Sequence, residues 1–422
     1  MSENLSPSRT DESVARLPIF HAKVIWLAGL VSMLPLFLFW RSFHQLYFFH
    51  DDWELLSEAS RTDLWKWLFQ PFLGESTIPV FKLLWLGAVR LFGGGYFAMI
   101  CLLWVTHLAN CLLFGWLLAR FHARATVIAF AVLTFGLAWS NIETLGWSMQ
   151  WSSQLALLFF LIAWHLLLRI REGARGVAGY TLCLLAGALS STRGIVCGLV
   201  LALFVLLMAA DWKPKIRLGT ASVIPAVLVT LAMVPFLVRH GGGWSLQESL
   251  SYSVYCFLLN PLYHLVSIHK ETVGIETFFF YGALKITTLA LGWRQAEKSL
   301  RPLLLVLIAF DFGNAIVLGF GRHYTGLDTS VSSRYQYISL FCFGPFAAQL
   351  VARPRRLAQA ANFLVWIPLL AYPWRRHAPQ WAQWRGTEIR DRLAHDPDGA
   401  HFDPSSITAG QARELEKIYH LH

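Results

Sequence analysis

The sequence predicts an all-α fold: a polytopic transmembrane helix bundle of about 11 spans, with amphipathic interfacial helices in the first external loop. Three observations predict it. Apolar runs of membrane-spanning length recur along nearly the whole chain. Charged residues make up 14% of the sequence and hydrophobic ones 56%, whereas a soluble domain carries about a quarter charged residues. The arginines and lysines gather in short segments between apolar runs, as topology-setting loops do. The formal net charge of +10 is therefore a topology signal, and no basic, aromatic-laced soluble domain is present to bind nucleic acid.

In chain order, the polar segment 1–23 carries Arg9, Arg16 and Lys23 and runs straight into an apolar stretch. It lacks a small-residue cleavage site, so an uncleaved first span over 24–43 is expected rather than a signal peptide. A long loop, 44–95, follows. Further spans are expected near 96–119, 125–140, 151–168, 177–191, 194–210, 218–238, 275–292, 302–319, 336–351 and 357–372. This divides the chain into a cytoplasmic segment (1–23), a transmembrane domain (24–372) and a small external tail (373–422) ending in the helical stretch QARELEKIYH. Six cysteines sit in or beside apolar segments without a CxxC pair and read as packing residues, not a disulfide framework.

The stretches 53–69, 78–92 and 252–268 are apolar but short or interrupted. IPVFKLLWLGAVRLFGGG decides the topology. Its apolar part is about 15 residues long and carries Lys82 and Arg90, so crossing the bilayer is costly. Eight residues separate the two cations, which places them on a similar side of a helix lying in the interface. With 78–92 lying flat, RFHAR (120–124), RIREGAR (169–175), DWKPKIR (211–217), WRQAEKSLR (293–301) and RPRR (353–356) all fall on one face, with the N-terminal cations. The positive-inside rule makes that face cytoplasmic, with the N-terminus inside and the C-terminus outside. The runs Gly93-Gly94-Gly95 and Gly241-Gly242-Gly243 read as turns at the interface.

The external face then collects the unusual polar residues. FFHDDWE places His50, Asp51 and Asp52 just after the first span. Two adjacent acids there have a plain reading as the first solvated residues after a helix. The aromatics on both sides, however, hold these acids at the interface. A carboxylate so held fits a general base for an incoming hydroxyl, or an oxygen ligand of a divalent cation such as Mg or Mn, with Asp51, Asp52 and His50 as the ligand set.

Arg193, in GALSSTRGIVCGL, and Arg334, in SSRYQYIS, interrupt apolar runs. Snorkelling to headgroups accounts for either one alone. Together, with Tyr335 and Arg322, they fit the phosphate of a lipid. His50, Glu75, Lys82, Glu143, His323 and Tyr324 are the expected substrate contacts. Glu143 lies in a Trp-bracketed loop, where hydrogen bonding to sugar hydroxyls competes with simple interfacial anchoring. No HExxH helix, Walker A loop or GxSxG elbow occurs. Charges inside the spans are sparse, Lys285 being the main exception and Asp311 a lesser one, which counts against a proton-driven transporter.

HDDWE after the first span resembles the acidic pair in the first external loop of polytopic GT-C glycosyltransferases, similar to the lipid A aminoarabinose transferases and protein O-mannosyltransferases. The following stretch GESTIPVFKLLWLGAVRLFGG is similar in position and character but lacks their His-Pro-Pro. HLANCLLF (107–114) resembles a His-x-x-Asn element of related membrane transferases, and SSRYQYIS resembles a Ser-Arg-Tyr element of bacterial relatives. The resemblance implies a polyprenyl-phosphate sugar donor and a glycan, lipid or protein acceptor on the periplasmic face of a bacterial inner membrane. Asp51 or Asp52 would be the base, and Arg193 and Arg334 would hold the leaving phosphate. The alternatives are a transporter or flippase of a lipid-linked sugar, and a non-catalytic envelope assembly subunit.

Overall fold

The computed structural model describes residues 19–72, 76–208, 211–237, 245–265, 274–352, 356–395 and 407–422. These residues are predominantly helical, and no strand occurs among them. Five helical stretches among them are long and apolar enough to cross a membrane: Ile19–Leu38, Tyr96–Arg120, Ser148–Arg171, Trp212–Met233 and Arg301–Thr325. A sixth appears if Ala125–Leu137 and Trp139–Gly146, bent by 46° at Ala138, count as one. The expected count of about 11 is not reproduced on this measure. Length is one physical reason, and polarity is another, since Ile275–Gln295 has 21 residues but carries Glu276, Lys285 and Arg294. Val177–Ala188 has 12 residues and Gly194–Met208 has 15, or about 18 and 23 Å of helix against a hydrocarbon core of about 30 Å.

The basic loops meet at one end of the bundle. Arg120 pairs with Glu172 at 2.5 Å, which joins the loops after Tyr96–Arg120 and Trp151–Arg171. Arg124 pairs with Glu297 at 3.1 Å, and Arg171 donates to the Met208 carbonyl at 3.2 Å. Arg9, Arg16 and the 353–355 part of RPRR lie outside the described residues.

At the opposite end, the helix Pro79–Leu91 has 13 residues, about 20 Å of helix, short of a hydrocarbon core of about 30 Å. Proline near its start suits a helix N-terminus, where the missing N–H has no intrahelical partner to lose. Val80 N donates to Leu189 O at the end of a neighbouring helix (3.2 Å), while the turn that ends it receives His422 N on Gly94 O (3.3 Å). Its start thus contacts a bundle helix and the turn after it contacts the C-terminal tail. Gly94 has φ +77°, and a Cβ there would meet His420 O at 2.4 Å, so this turn requires glycine. The Gly241–Gly243 run lies outside the described residues.

One expectation for this helix is corrected. Lys82 does not share a side with Arg90, because Lys82 is completely buried and Arg90 is exposed. Lys82 Nζ donates to Trp67 O and Gln70 O, both at 2.9 Å, and to Glu58 Oε2 at 3.4 Å. It ties Pro79–Leu91 to the preceding helices Asp51–Arg61 and Leu64–Phe69. The outward row is instead Leu83, Leu84, Arg90 and Leu91, and it continues into exposed Trp65 and Phe69.

The tail folds onto the same end. Trp374–Ala382, Gln383–Thr387, Glu388–His395 and Ala409–Tyr419 pack against the first loop. Tyr47 OH donates to Glu416 at 2.6 Å, Tyr47 N donates to Arg385 O, and His377 stacks on Trp139 at 4.0 Å. The last helix opens with a capping box, Thr408 with Gln411.

Two polar clusters lie inside the bundle. His107 and Asn110, the pair in HLANCLLF, both bond the Tyr337 hydroxyl, at 3.0 and 3.1 Å, and are completely buried. The second cluster explains the intramembrane charges. Leu246–Leu259 starts beside His323 and ends beside Lys285, then breaks at Asn260-Pro261. The Phe257 and Asn260 carbonyls accept from Lys285 Nζ, the second at 2.6 Å, and the ammonium pairs with Asp311 at 2.6 Å. It therefore sits at the negative end of that helix and satisfies carbonyls that no later turn can reach. Residues 266–268 of the short stretch 252–268 are outside the described residues.

Candidate functional site

The site begins at a sharp turn. Extended residues 46–49 end at His50, whose φ is +51° and ψ −120°, and Asp51–Arg61 starts immediately after. The turn points the two adjacent acids in different directions.

Asp52 faces inward and has no exposed surface. Its Oδ1 receives Ser148 Oγ at 2.6 Å; its Oδ2 receives Tyr96 OH at 3.2 Å and Phe49 N at 3.3 Å. Ser148 Oγ in turn accepts from Trp85 Nε1 at 2.8 Å. Burial pushes the Asp52 carboxyl up to about 7, against the opposing pull of the Ser148 and Phe49 hydrogen bonds.

Asp51 faces the other way. Its side chain is 14% exposed, and His50 Nδ1 lies 2.5 Å from its Oδ1. The Arg334 guanidinium lies within electrostatic reach of Asp51 and of Glu143. Trp147 flanks the His50 ring at 5.8 Å.

Arg334 comes from the turn Ser333–Tyr335 and is set by Glu143, whose Oε2 accepts from Arg334 N at 3.0 Å and from the Ser333 hydroxyl. Tyr335 carries both arginines. Arg193 lies 5.1 Å and Arg334 5.3 Å from its ring centre, and Arg193 Nη1 donates to Arg334 O at 3.3 Å. Arg193 is 7% exposed, and no carboxylate among the described residues pairs with it. Burial pulls its guanidinium below the ordinary value, Tyr335 and Cys256 oppose that, and the charges of Arg334 and Arg322 add to it. Arg334 Nε is buried without a partner. Like charges gathered in low dielectric around unfilled donors form a place for an anion.

Gly194 explains how Arg193 reaches this point. A Cβ there would meet Gly187 O at 2.1 Å, so only glycine lets the chain double back this tightly after Arg193.

The structure thus brings together Asp51, His50, Arg193, Arg334, Tyr335 and Glu143, with Arg322 close to Arg193. Glu143 holds the Arg334 turn, a different task from the sugar contact expected of it. His323 bonds Ser249 and Gly319 O, and Tyr324 is half exposed and receives Arg322. Lys82 is not part of the site, because its ammonium is taken up by Trp67, Gln70 and Glu58. Glu75 lies outside the described residues. Sequence reasoning missed Ser148, Tyr96, and Tyr252 with Cys256, which pack with Tyr335 in one buried cluster.

A divalent cation does not fit the expected ligand set. Asp52 has both oxygens occupied by donors, which leaves Asp51 and His50, and no group of three His, Cys, Asp or Glu side chains able to hold a metal occurs among the described residues.

No family model matches this chain, and no curated protein matches it. Among solved structures, the chain is similar to the apo crystal structure of the Archaeoglobus fulgidus oligosaccharyltransferase, with 14% identity and a TM-score of 0.49. The likeness covers 94% of this chain and 59% of that one, so the chain spans less than two thirds of that protein.

Proposed function

We propose that this chain is a membrane glycosyltransferase that moves a sugar from a polyprenyl-phosphate donor to a hydroxyl acceptor. One observation carries the reading: a carboxylate–imidazole pair, Asp51 with His50, lies within electrostatic reach of Arg334, and Arg334 shares the Tyr335 ring with the buried Arg193. Glycosyl transfer needs these two functions side by side. One group takes the acceptor proton, and the other stabilises the negative charge growing on the departing phosphate. A lipid-phosphate donor brings its own leaving group, so nucleotide-binding machinery is not required.

Of the two acids, Asp51 is the one presented to a substrate, and Asp52 anchors the turn beneath it. The basic loops at the far end of the bundle support placing that end in the cytoplasm and the site at the periplasmic face of a bacterial inner membrane. A flippase needs a polar path between the two faces. The buried charges at mid-bundle, Lys285 and Asp311, instead satisfy each other and helix-end carbonyls.

The test is transfer by purified protein from a synthetic polyprenyl-phosphate sugar, with mass spectrometry of envelope glycans from cells with and without the gene identifying the acceptor. Transfer by the wild type, lost in Arg193→Ala with Arg334→Ala, supports the reading. Transport of the intact donor without transfer would replace it with the flippase.

A further inference from the structure

The proton acceptor is the least obvious part of this site, and assigning it rests on the glycosyl-transfer reading. Three groups in HDDWE are candidates. Asp52 is excluded by access, since it has no exposed surface and three donors occupy its two oxygens. Asp51 has one oxygen committed to His50 at 2.5 Å and faces Arg334. The His50 side chain is 34% exposed, more than twice the 14% of Asp51.

In the neutral ring the contact selects the tautomer with the proton on Nδ1, because a carboxylate oxygen accepts a hydrogen bond from it. The lone pair of the neutral ring is then on Nε2. A base held by a hydrogen bond from its other nitrogen to a carboxylate is the arrangement that orients imidazole in nucleophilic catalysis. Imidazole is also the side chain whose ordinary titration lies nearest neutral pH, where a general base works best.

The backbone adds an independent observation. His50 occupies the N-cap position of Asp51–Arg61 yet makes no side-chain cap, the task for which Ser, Thr, Asp or Asn is preferred there. It also holds φ +51°, a conformation that costs a side-chain-bearing residue on the order of 1–3 kcal/mol. The side chain is turned instead to Asp51, at 2.5 Å, and to the Trp147 ring.

We propose that His50 is the catalytic base and that Asp51 is its positioning residue. The acceptor O–H bond breaks and its proton passes to His50 Nε2. The freed oxygen pair forms the bond to the anomeric carbon. The bond from that carbon to the lipid-phosphate oxygen breaks, and its electron pair leaves with the phosphate, held by Arg193 and Arg334. The imidazolium then returns its proton to water.

The experiment uses full-length purified protein and a synthetic polyprenyl-phosphate sugar, comparing wild type with His50→Ala, His50→Gln and Asp51→Asn, each with and without added imidazole. His50→Gln keeps an N–H for Asp51 and so separates lost basicity from lost folding. The expected result is a fall in kcat of about 10²-fold or more in both His50 variants, with the donor KM little changed. Imidazole should restore turnover several-fold in His50→Ala and leave Asp51→Asn unrescued. Wild-type kcat in His50→Gln, or a folded His50→Ala that imidazole does not restore, overturns the assignment of His50. If Asp51→Asn is inactive in that case, the transferase reading survives and Asp51 is the base itself. Absence of transfer by the wild-type protein would instead sink the transferase reading.

Discussion

Ser148 donates to Asp52 at 2.6 Å while receiving the Trp85 indole at 2.8 Å, so one hydroxyl couples the acidic turn to the helix Pro79–Leu91. Tyr96 closes the ring, donating to Asp52 and accepting from Ser148 N at 3.2 Å. Asp52 is thus the buried keystone beneath Asp51, and its ionisation is opposed by burial.

That opposition has a pH dependence. The folded Asp52 carboxyl titrates at about 7, against an ordinary aspartate value of 3.8. A raised value means that the folded state binds the proton more tightly, so the stabilisation is complete below about pH 4 and is lost as pH rises towards 7. Each tenfold gain in proton affinity on folding corresponds to about 1.4 kcal/mol. Asp52→Asn removes the charge and keeps an acceptor for Tyr96 and Phe49. Its melting temperature in detergent should exceed that of wild type at pH 8, and the gap should close by pH 4. An unchanging gap across that range would contradict the account of Asp52.

Lys285 and Asp311 predict a different pattern. Removing one member leaves a buried charge unpaired, which costs about 3–5 kcal/mol. Lys285→Met and Asp311→Leu should each lower the unfolding temperature sharply, and the double variant should recover part of the loss. Additive losses would show that the pair is not coupled.

Lys82→Met tests the structural role of that lysine. It leaves Trp67 O and Gln70 O without a donor, and charged hydrogen bonds of this kind contribute about 1.5–3 kcal/mol each. Stability should fall while the donor KM of the folded enzyme stays near wild type. A large rise in KM with unchanged stability would return Lys82 to the substrate.

Arg193→Ala and Arg334→Ala should each weaken binding of a polyprenyl phosphate by about 10-fold or more, the loss of one charge-assisted contact. Because both arginines lie on Tyr335, their effects should be less than additive. Isothermal titration against a short-chain polyprenyl phosphate reads both quantities, and unchanged affinity in both variants would remove the anion site.

Much of this is legible in the sequence because charge is expensive near hydrocarbon. Arg193 and Arg334 each interrupt an apolar run, and the structure brings them to one tyrosine. The length of 78–92 and its cations argue against a span, and the helix Pro79–Leu91 has only 13 residues. Lys82 escapes the pattern because eight residues turn a helix by about 80° past two full rotations, enough to bury one cation and expose the other. The number of spans is obscured because apolarity does not reveal where a helix breaks, as at Ala138, or stops short, as at Ala188. Ser148 and Tyr96 carry no pattern. A serine among tryptophans becomes an Asp52 partner only when the chain brings residues 96 positions apart together.

The central claim is that Asp51 and His50 act on the acceptor while the arginines hold the donor, and Asp51→Asn separates the two roles. The direct measurement pairs turnover with donor binding in that one variant. Transfer should fall by about 10²–10⁴-fold, while affinity for the polyprenyl-phosphate sugar stays within about twofold of wild type. Full turnover in Asp51→Asn would contradict the claim and leave two acids that merely begin a helix. Loss of donor affinity alongside turnover would place Asp51 on the phosphate side of the site.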